Sequence, residues 1–196
     1  GGGWYTEILA PYLFSAGKLS VTHHNPDAGS YQKRSRASFD KKVSTNPLFK
    51  GVNVITADVP PSGSFTEPGT QDLVLTFRNL HNWLGQDAMK AIMQEAYNSL
   101  KEGGHFGVVE HRAPEGSDLE FMKKSGYVTQ SLAIQTAQEV GFKLVASSEI
   151  NANPKDTADH PRGVWTLPPS FRLKDQDREK YAAIGESDRM TLLFKK

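Results

Sequence analysis

Residues 72–110 read DLVLTFRNLHNWLGQDAMKAIMQEAYNSLKEGGHFGVVE, and this stretch decides the fold. Asp72 to Phe77 is a short apolar run of strand length. Ala88, Met89, Ile92, Met93, Ala96, Tyr97 and Leu100 then recur at the helical period, which predicts a helix over Gln86–Lys101 stopped by Gly103-Gly104. His105 to Glu110 is a second apolar strand. Strand, amphipathic helix, strand is the unit of a parallel sheet covered by helices on both faces.

The same alternation extends in both directions. Upstream, Trp4–Leu13 reads as a helix with Ile8, Leu9, Tyr12 and Leu13 on one stripe, Lys18–Thr22 as a strand, Arg36–Val43 as a helix and Val52–Ala57 as a β-branched strand. Downstream, Thr129–Val140 reads as a helix closed by Gly141, Phe142–Ile150 as a strand, and Arg189–Lys195 as a terminal strand. No strong crossover helix joins these last two strands, so an antiparallel pair at the sheet edge is expected. Residues 151–187 are polar and proline-bearing, and read as a long surface excursion rather than a domain.

The bulk numbers narrow the function classes. A chain of 196 residues fits one domain. Lysine plus arginine number 23 against 22 acidic residues, and this balance gives no electrostatic reason to expect nucleic acid or an anionic membrane as partner. With no cysteine, disulfides, thiolate catalysis and Cys-based zinc sites are excluded. No apolar run is long enough for a membrane span. No signal peptide is visible, so a cytoplasmic location is the default expectation; a leader removed from ahead of Gly1 is also compatible with the sequence.

The chemistry-bearing residues cluster at expected loop and strand ends. Gly1-Gly2-Gly3 leads into a helix at Trp4, where backbone N–H groups can approach a ligand closely. Asp58 follows one strand, Arg78-Asn79-Leu80-His81-Asn82-Trp83 the next, and Glu110-His111-Arg112 its neighbour. Strand C-termini are where open α/β sheets bind ligands. His81 is a candidate proton acceptor near neutral pH. Arg112 reads equally as an anchor for a substrate carboxylate or phosphate and as half of a local Glu–Arg pair. His23, His24 and His160 fit no standard zinc spacing and read as a solvated loop, so no metal site is expected. The basic cluster at 33–36 reads as a solvated helix start. No Gly-x-Ser-x-Gly elbow is present, which counts against a serine hydrolase.

GGGWYTEILAPYL resembles the first nucleotide-binding loop of class I S-adenosylmethionine-dependent methyltransferases, in particular a bacterial family of predicted methyltransferases. DLVLTFRNLHNW, LKEGGHFGVVEHRAPEG, AQEVGFKLVASSEINANPKD and the closing RMTLLFKK resemble the same family in order along nearly the whole chain. The resemblance implies an α/β, Rossmann-like sheet of family strand order 3-2-1-4-5-7-6 with the last strand antiparallel. It implies a single methyltransferase domain over 1–196, N-terminally incomplete because the first strand and its acidic residue are absent from this chain.

It further implies S-adenosylmethionine as cofactor, held by Gly1, Gly2, Gly3, Trp4, His24, Asp58, Asn79 and Leu80. His81, Glu110 and His111 then lie beside an acceptor, expected to be a small molecule, with Trp165 and Phe171 of the excursion covering it. One departure stands out. The family places an acidic residue after its second strand to hold the ribose, whereas this chain reads Thr22-His23-His24-Asn25-Pro26-Asp27, leaving His24, Asn25 or Asp27 as substitutes. The competing readings are a non-catalytic nucleoside-binding module on the same fold and an NAD-dependent oxidoreductase. The second requires Gly-x-Gly-x-x-Gly, and Tyr5 or Thr6 occupies its third glycine position.

Overall fold

The computed structural model describes residues 2–196, and they form two compact units that divide between Phe65 and Thr66. Each is described by itself.

The first unit holds α1 (Trp4–Leu13), β1 (Ser20–His24), α2 (Ser30–Thr45) and β2 (Asn53–Ala57). β1 and β2 pair in parallel, Ser20 opposite Asn53 and His24 opposite Ala57. Helix α2 is longer than its apolar pair Phe39 and Val43 announces, because Gly29 frees the chain to start at Ser30. Its Phe39 is buried and stacks on the His23 ring at 4.6 Å.

The second unit holds β3 (Gln71–Phe77), α3 (Leu80–Leu84), α4 (Met89–Ser99), β4 (Leu100–Ala113), α5 (Leu119–Ser125), β5 (Val128–Thr129), α6 (Gln130–Val140), β6 (Lys143–Ser148), α7 (Arg178–Ile184) and β7 (Arg189–Lys195). The sheet order is β3-β4-β7-β6, with the two-residue β5 beside the end of β4. β3 and β4 run parallel, while β7 is antiparallel to both neighbours, as the missing crossover helix predicts. Each sheet by itself, β1-β2 and β3-β4-β7-β6, is consistent with its part of the expected order.

The core of this unit gathers Met89, Met93 and Ala96 of α4, Phe106 and Val108 of β4, Ala133 and Ala137 of α6, and Met190, Leu192 and Phe194 of β7. The helices carry readable ends. Asp118 caps α5 by accepting from Phe121 N at 2.7 Å, Thr129 caps α6, and Gly141 closes α6 in the left-handed conformation.

One expected element is corrected. The helix over Gln86–Lys101 is shorter, starting at Met89 and ending at Ser99, and Gly103-Gly104 lie inside the 14-residue strand β4. Asp87 sits at φ 52, which breaks the helical path between α3 and α4. At the other end Leu100 is already extended and pairs with Gln71.

The 151–187 excursion is not bare loop, since it contains a 3-10 turn at Gly163–Thr166 and helix α7. No helix among the described residues is long and apolar enough to cross a membrane.

Candidate functional site

In the first unit, Gly1 lies outside the described residues. Gly3 precedes α1 at φ 77, and a Cβ there would sit 2.6 Å from the Phe39 ring, so glycine is required twice over. The loop is tied to α2 by Lys42, whose Nζ donates to the Gly2 carbonyl at 2.8 Å and to the Glu7 carboxylate. No side chain caps the start of α1, and a helix start of this kind suits an anion. Nothing lies within 4 Å of a Cβ built on Gly2, which leaves room for a ligand. Trp4 is 61% exposed.

Asp58 follows β2. Its carboxylate accepts from Asn25 Nδ2 at 2.7 Å and from the Ser62 hydroxyl, bonds that hold it below the usual carboxylate range. Two oxygens have more acceptor capacity than two donors fill, so the carboxylate can take a further N–H. Asn25 is consumed here, because its Oδ1 also accepts from Asp27 N. Asp27 lies within a 3-10 turn. Of the three proposed ribose partners, His24 and Asp27 commit no side chain to this turn among the described bonds, since Asp27 enters it through its backbone N–H; His24 ends β1, and its partial burial lowers its pKa.

In the second unit the ends of β3 and β4 bring the predicted residues together. Phe77 pairs with Val109, so the chain leaving β3 passes beside Glu110 and His111. Arg78 turns that corner at φ 58, a costly conformation for a side-chain-bearing residue, and its N–H donates to Val109 O at 2.7 Å. Asn79 precedes α3 and Leu80 is fully buried in the core, so Leu80 offers a ligand only its backbone.

His81 follows, and its Nδ1 lies 3.0 Å from Glu110 Oε1. Glu110, wholly buried, also accepts from His81 N at 3.2 Å and His111 N at 2.8 Å. A carboxylate only accepts, so its bond to the ring places the His81 proton on Nδ1 and leaves Nε2 as the basic nitrogen. The His111 ring lies 5.4 Å from that of His81, and its Nδ1 is 2.5 Å from Ser187 Oγ. Burial drives the His111 imidazole down to about 4, against a smaller upward pull from Glu110.

Three readings of the sequence change here. Arg112 donates to Asp188 from Nε and Nη2, to Glu149 from Nη1 and Nη2, and to Gln130 from Nη1. Every donor nitrogen is engaged within the protein, so Arg112 is the local pair and not an anchor for a substrate anion. The solvated-loop reading is corrected for His23 and His160. His23 is buried, and the His160 side chain, 4% exposed, bonds to Asp156 Oδ1 at 2.8 Å.

Sequence reading also missed a polar hub. Asp156 accepts from Tyr127 Oη, Ala158 N and Asp188 N, and Ser187 reaches His111 across 76 positions. No local pattern marks partners that far apart. The excursion does reach the site: the Trp165 ring meets His81 edge-on at 5.9 Å. Phe171 does not show the same contact and instead stacks under Arg178 at 4.0 Å. A cleft of about 370 Å³ opens at the same strand end, lined by Arg112, Glu115, Gln130, Asp156 and Asp188 among others.

No family model matches the chain, and no curated protein matches it in sequence. Many solved structures match it in fold. The [4+2]-cyclase SpnF is 14% identical with a TM-score of 0.62, over 100% of this chain and 72% of that one. A SAM-dependent methyltransferase from Aquifex aeolicus is 14% identical with a TM-score of 0.57, over 76% and 71%. A TehB-like SAM-dependent methyltransferase from Corynebacterium glutamicum is 13% identical with a TM-score of 0.57, over 100% and 76%. With the strand order above, these likenesses show that the chain has the fold of the class I S-adenosylmethionine-dependent methyltransferases.

Proposed function

We propose that the chain transfers a methyl group from S-adenosylmethionine to a small-molecule acceptor. The observation that carries this reading is the buried His81–Glu110 pair at the ends of two parallel strands, the position where this architecture meets its ligands. The cofactor, when bound, supplies an activated methyl group for in-line displacement, so the protein contributes alignment and exclusion of water.

In this reading the Gly2-Gly3-Trp4 turn, beside Gly1, offers N–H groups to the methionine carboxylate. His24 meets the ribose and Asp58 takes the adenine amino group, while Asn79 and the backbone of Leu80 hold the methionine chain. His81 receives a proton at Nε2 from an acidic acceptor, with Glu110 fixing its tautomer and His111 lining the same place. The cleft beside Arg112 has the size of a small-ligand site. The activities of the fold's neighbours, methyl transfer among them, support the reaction class. One of them, a cyclase, marks that the fold alone does not choose it.

Titration calorimetry with S-adenosylhomocysteine, S-adenosylmethionine and NAD tests the reading. Equimolar binding of the adenosyl sulfonium and of its thioether product, and none of NAD, is expected. Binding of NAD alone, or of none of the three, overturns it.

A further inference from the structure

We infer that His81, Glu110 and His111 form a binding site for one divalent transition-metal ion. Each offers one donor atom, these atoms all lie within 4.8 Å of one another, and all three residues are buried. The cluster is the one of its kind among the described residues.

The charge argues for an occupant. Glu110 is wholly buried, and among the described residues it pairs with His81 and with no lysine or arginine; Arg78 and Arg189 act at longer range on the neighbouring His111, and Arg189 is paired with Glu186. A buried carboxylate is costly unless a cation compensates it. Two neutral imidazoles and one carboxylate around a dication leave a single net positive charge, which is dispersed over the ligands.

The spacing argues the same way. Metal bonds of about 2.0–2.1 Å at tetrahedral or octahedral angles set ligand atoms about 2.9–3.4 Å apart. His81 Nδ1 and Glu110 Oε1 are already 3.0 Å apart. His111 is held from behind, its Nδ1 against Ser187 Oγ, which leaves Nε2 to face an ion. A second bond on the far nitrogen is the usual device for aiming a ligating imidazole.

The donor set is nitrogen and oxygen without sulfur, which favours zinc, cobalt, manganese or ferrous iron over soft ions. Three protein ligands leave at least one position open, the mark of a reactive rather than a purely structural site. A metal on His81 Nδ1 takes the place of the proton there and moves the ring proton to Nε2, the nitrogen that accepts a proton in the metal-free protein. The acid–base role of His81 therefore describes the metal-free protein, and the ligand role the loaded one. The inference rests on the chain's own side chains and stands apart from the methyl-transfer reading.

The test is titration of the EDTA-treated, dialysed chain with Co2+, followed by visible absorption, and with Zn2+, followed by the ring-nitrogen NMR signals of its six histidines. One Co2+ per chain is expected, with ligand-field bands of a nitrogen-ligated ion, and Zn2+ should shift the ring signals of His81 and His111 while leaving the other four in place. His81→Gln and His111→Gln should each weaken Co2+ binding by about tenfold or more. His105→Gln, on β4 and outside the cluster, should leave it unchanged. Absence of Co2+ uptake overturns the inference, as does uptake that shifts the signals of other histidines. The NMR readout on the unmodified chain decides the matter even if a variant does not fold. Calorimetry with S-adenosylhomocysteine on the same sample separates this result from the cofactor question.

Discussion

Glu110 concentrates the tension of the site in one side chain, a full charge with no exposed surface on which one ring N–H and two backbone N–H groups converge. Glu110→Gln replaces one accepting oxygen with an NH2 group that faces donors. The change should cost about 2–4 kcal/mol, since it strands buried N–H groups. Urea unfolding of the EDTA-treated protein measures it, and a loss below about 1 kcal/mol means the carboxylate is not an anchor. The residue types at this site were readable, because His81 follows one apolar strand and Glu110 closes the apolar run of the next. Their companions Ser187 and Asp156 were not, because their roles come from pairings 76 and 29 to 32 positions distant.

Tyr127 shows what such a hidden partner does. Burial first, and then the Asp156 carboxylate, push its hydroxyl well above the usual tyrosine range. A group whose folded pKa is raised lends stability in full below its unfolded value, near pH 10, and loses it as pH rises beyond. The protein should therefore weaken above about pH 10. Tyr127→Phe should flatten that alkaline limb while costing about 1–3 kcal/mol at pH 7 through the lost bond to a charged acceptor. Denaturation midpoints from pH 7 to 11 check both arms, and an unchanged alkaline slope in the variant contradicts the assignment.

At the scale of elements, local periodicity fixed the parts that local chemistry ends. Helix α6 was legible because Thr129 caps it and Gly141 closes it. The break between α3 and α4 was not, because it depends on one left-handed aspartate, and the true start of β4 depends on Gln71 opposite Leu100. Arg112 shows the same limit, since its identity as a tie between β4, Glu149 and Asp188 is settled by strand pairing rather than by the motif around it. Arg112→Lys keeps the charge and loses the fork, and should cost about 1–2 kcal/mol at pH 7. Its hydrogen bonds hold Glu149 below the usual carboxylate range, so the stability this pair lends is present above the unfolded carboxylate pKa and is lost as pH falls through the folded one. The cost of Arg112→Lys should accordingly shrink on acidification, and a cost that stays constant down to pH 3 counts against the pairing.

The excursion meets helix α5 where Gly163, at φ 55, lies so close that a Cβ would stand 2.0 Å from Ser125 O. Neither atom belongs to a flexible side chain. Gly163→Ala should cost more than about 3 kcal/mol or abolish folding, whereas Gly116→Ala, also at positive φ but with open space, should cost only about 1 kcal/mol. Thermal melts of the two variants separate steric contact from backbone conformation, and equal losses contradict the packing.

At the scale of the whole molecule, apolar burial is divided very unevenly between the two units. The main core runs from Leu80 to Phe194 and lies entirely within Thr66–Lys196. In Gly1–Phe65 the buried apolar residues among those described are Ala10, Phe39 and Phe49. Chain entropy opposes folding by roughly 1–2 kcal/mol per residue, and a segment of about this size with so few buried side chains cannot offset it. Expressed as separate fragments, 66–196 should fold cooperatively, with a sharp urea transition and near-ultraviolet circular dichroism from Trp83 and Trp165. Fragment 1–65 should give neither. The larger fragment carries its own hazard: β3 pairs on one side with β4 and exposes Leu73 by 50% and Leu75 by 39%, a combination that invites edge-to-edge association. Leu73→Lys should therefore raise its solubility without lowering its urea midpoint by more than about 0.5 kcal/mol. A folded 1–65, or a 66–196 fragment that lacks a cooperative transition in dilute solution, contradicts the placement of the core. If both fragments fold alone, stability does not depend on the uneven burial seen here, and the argument from core size fails.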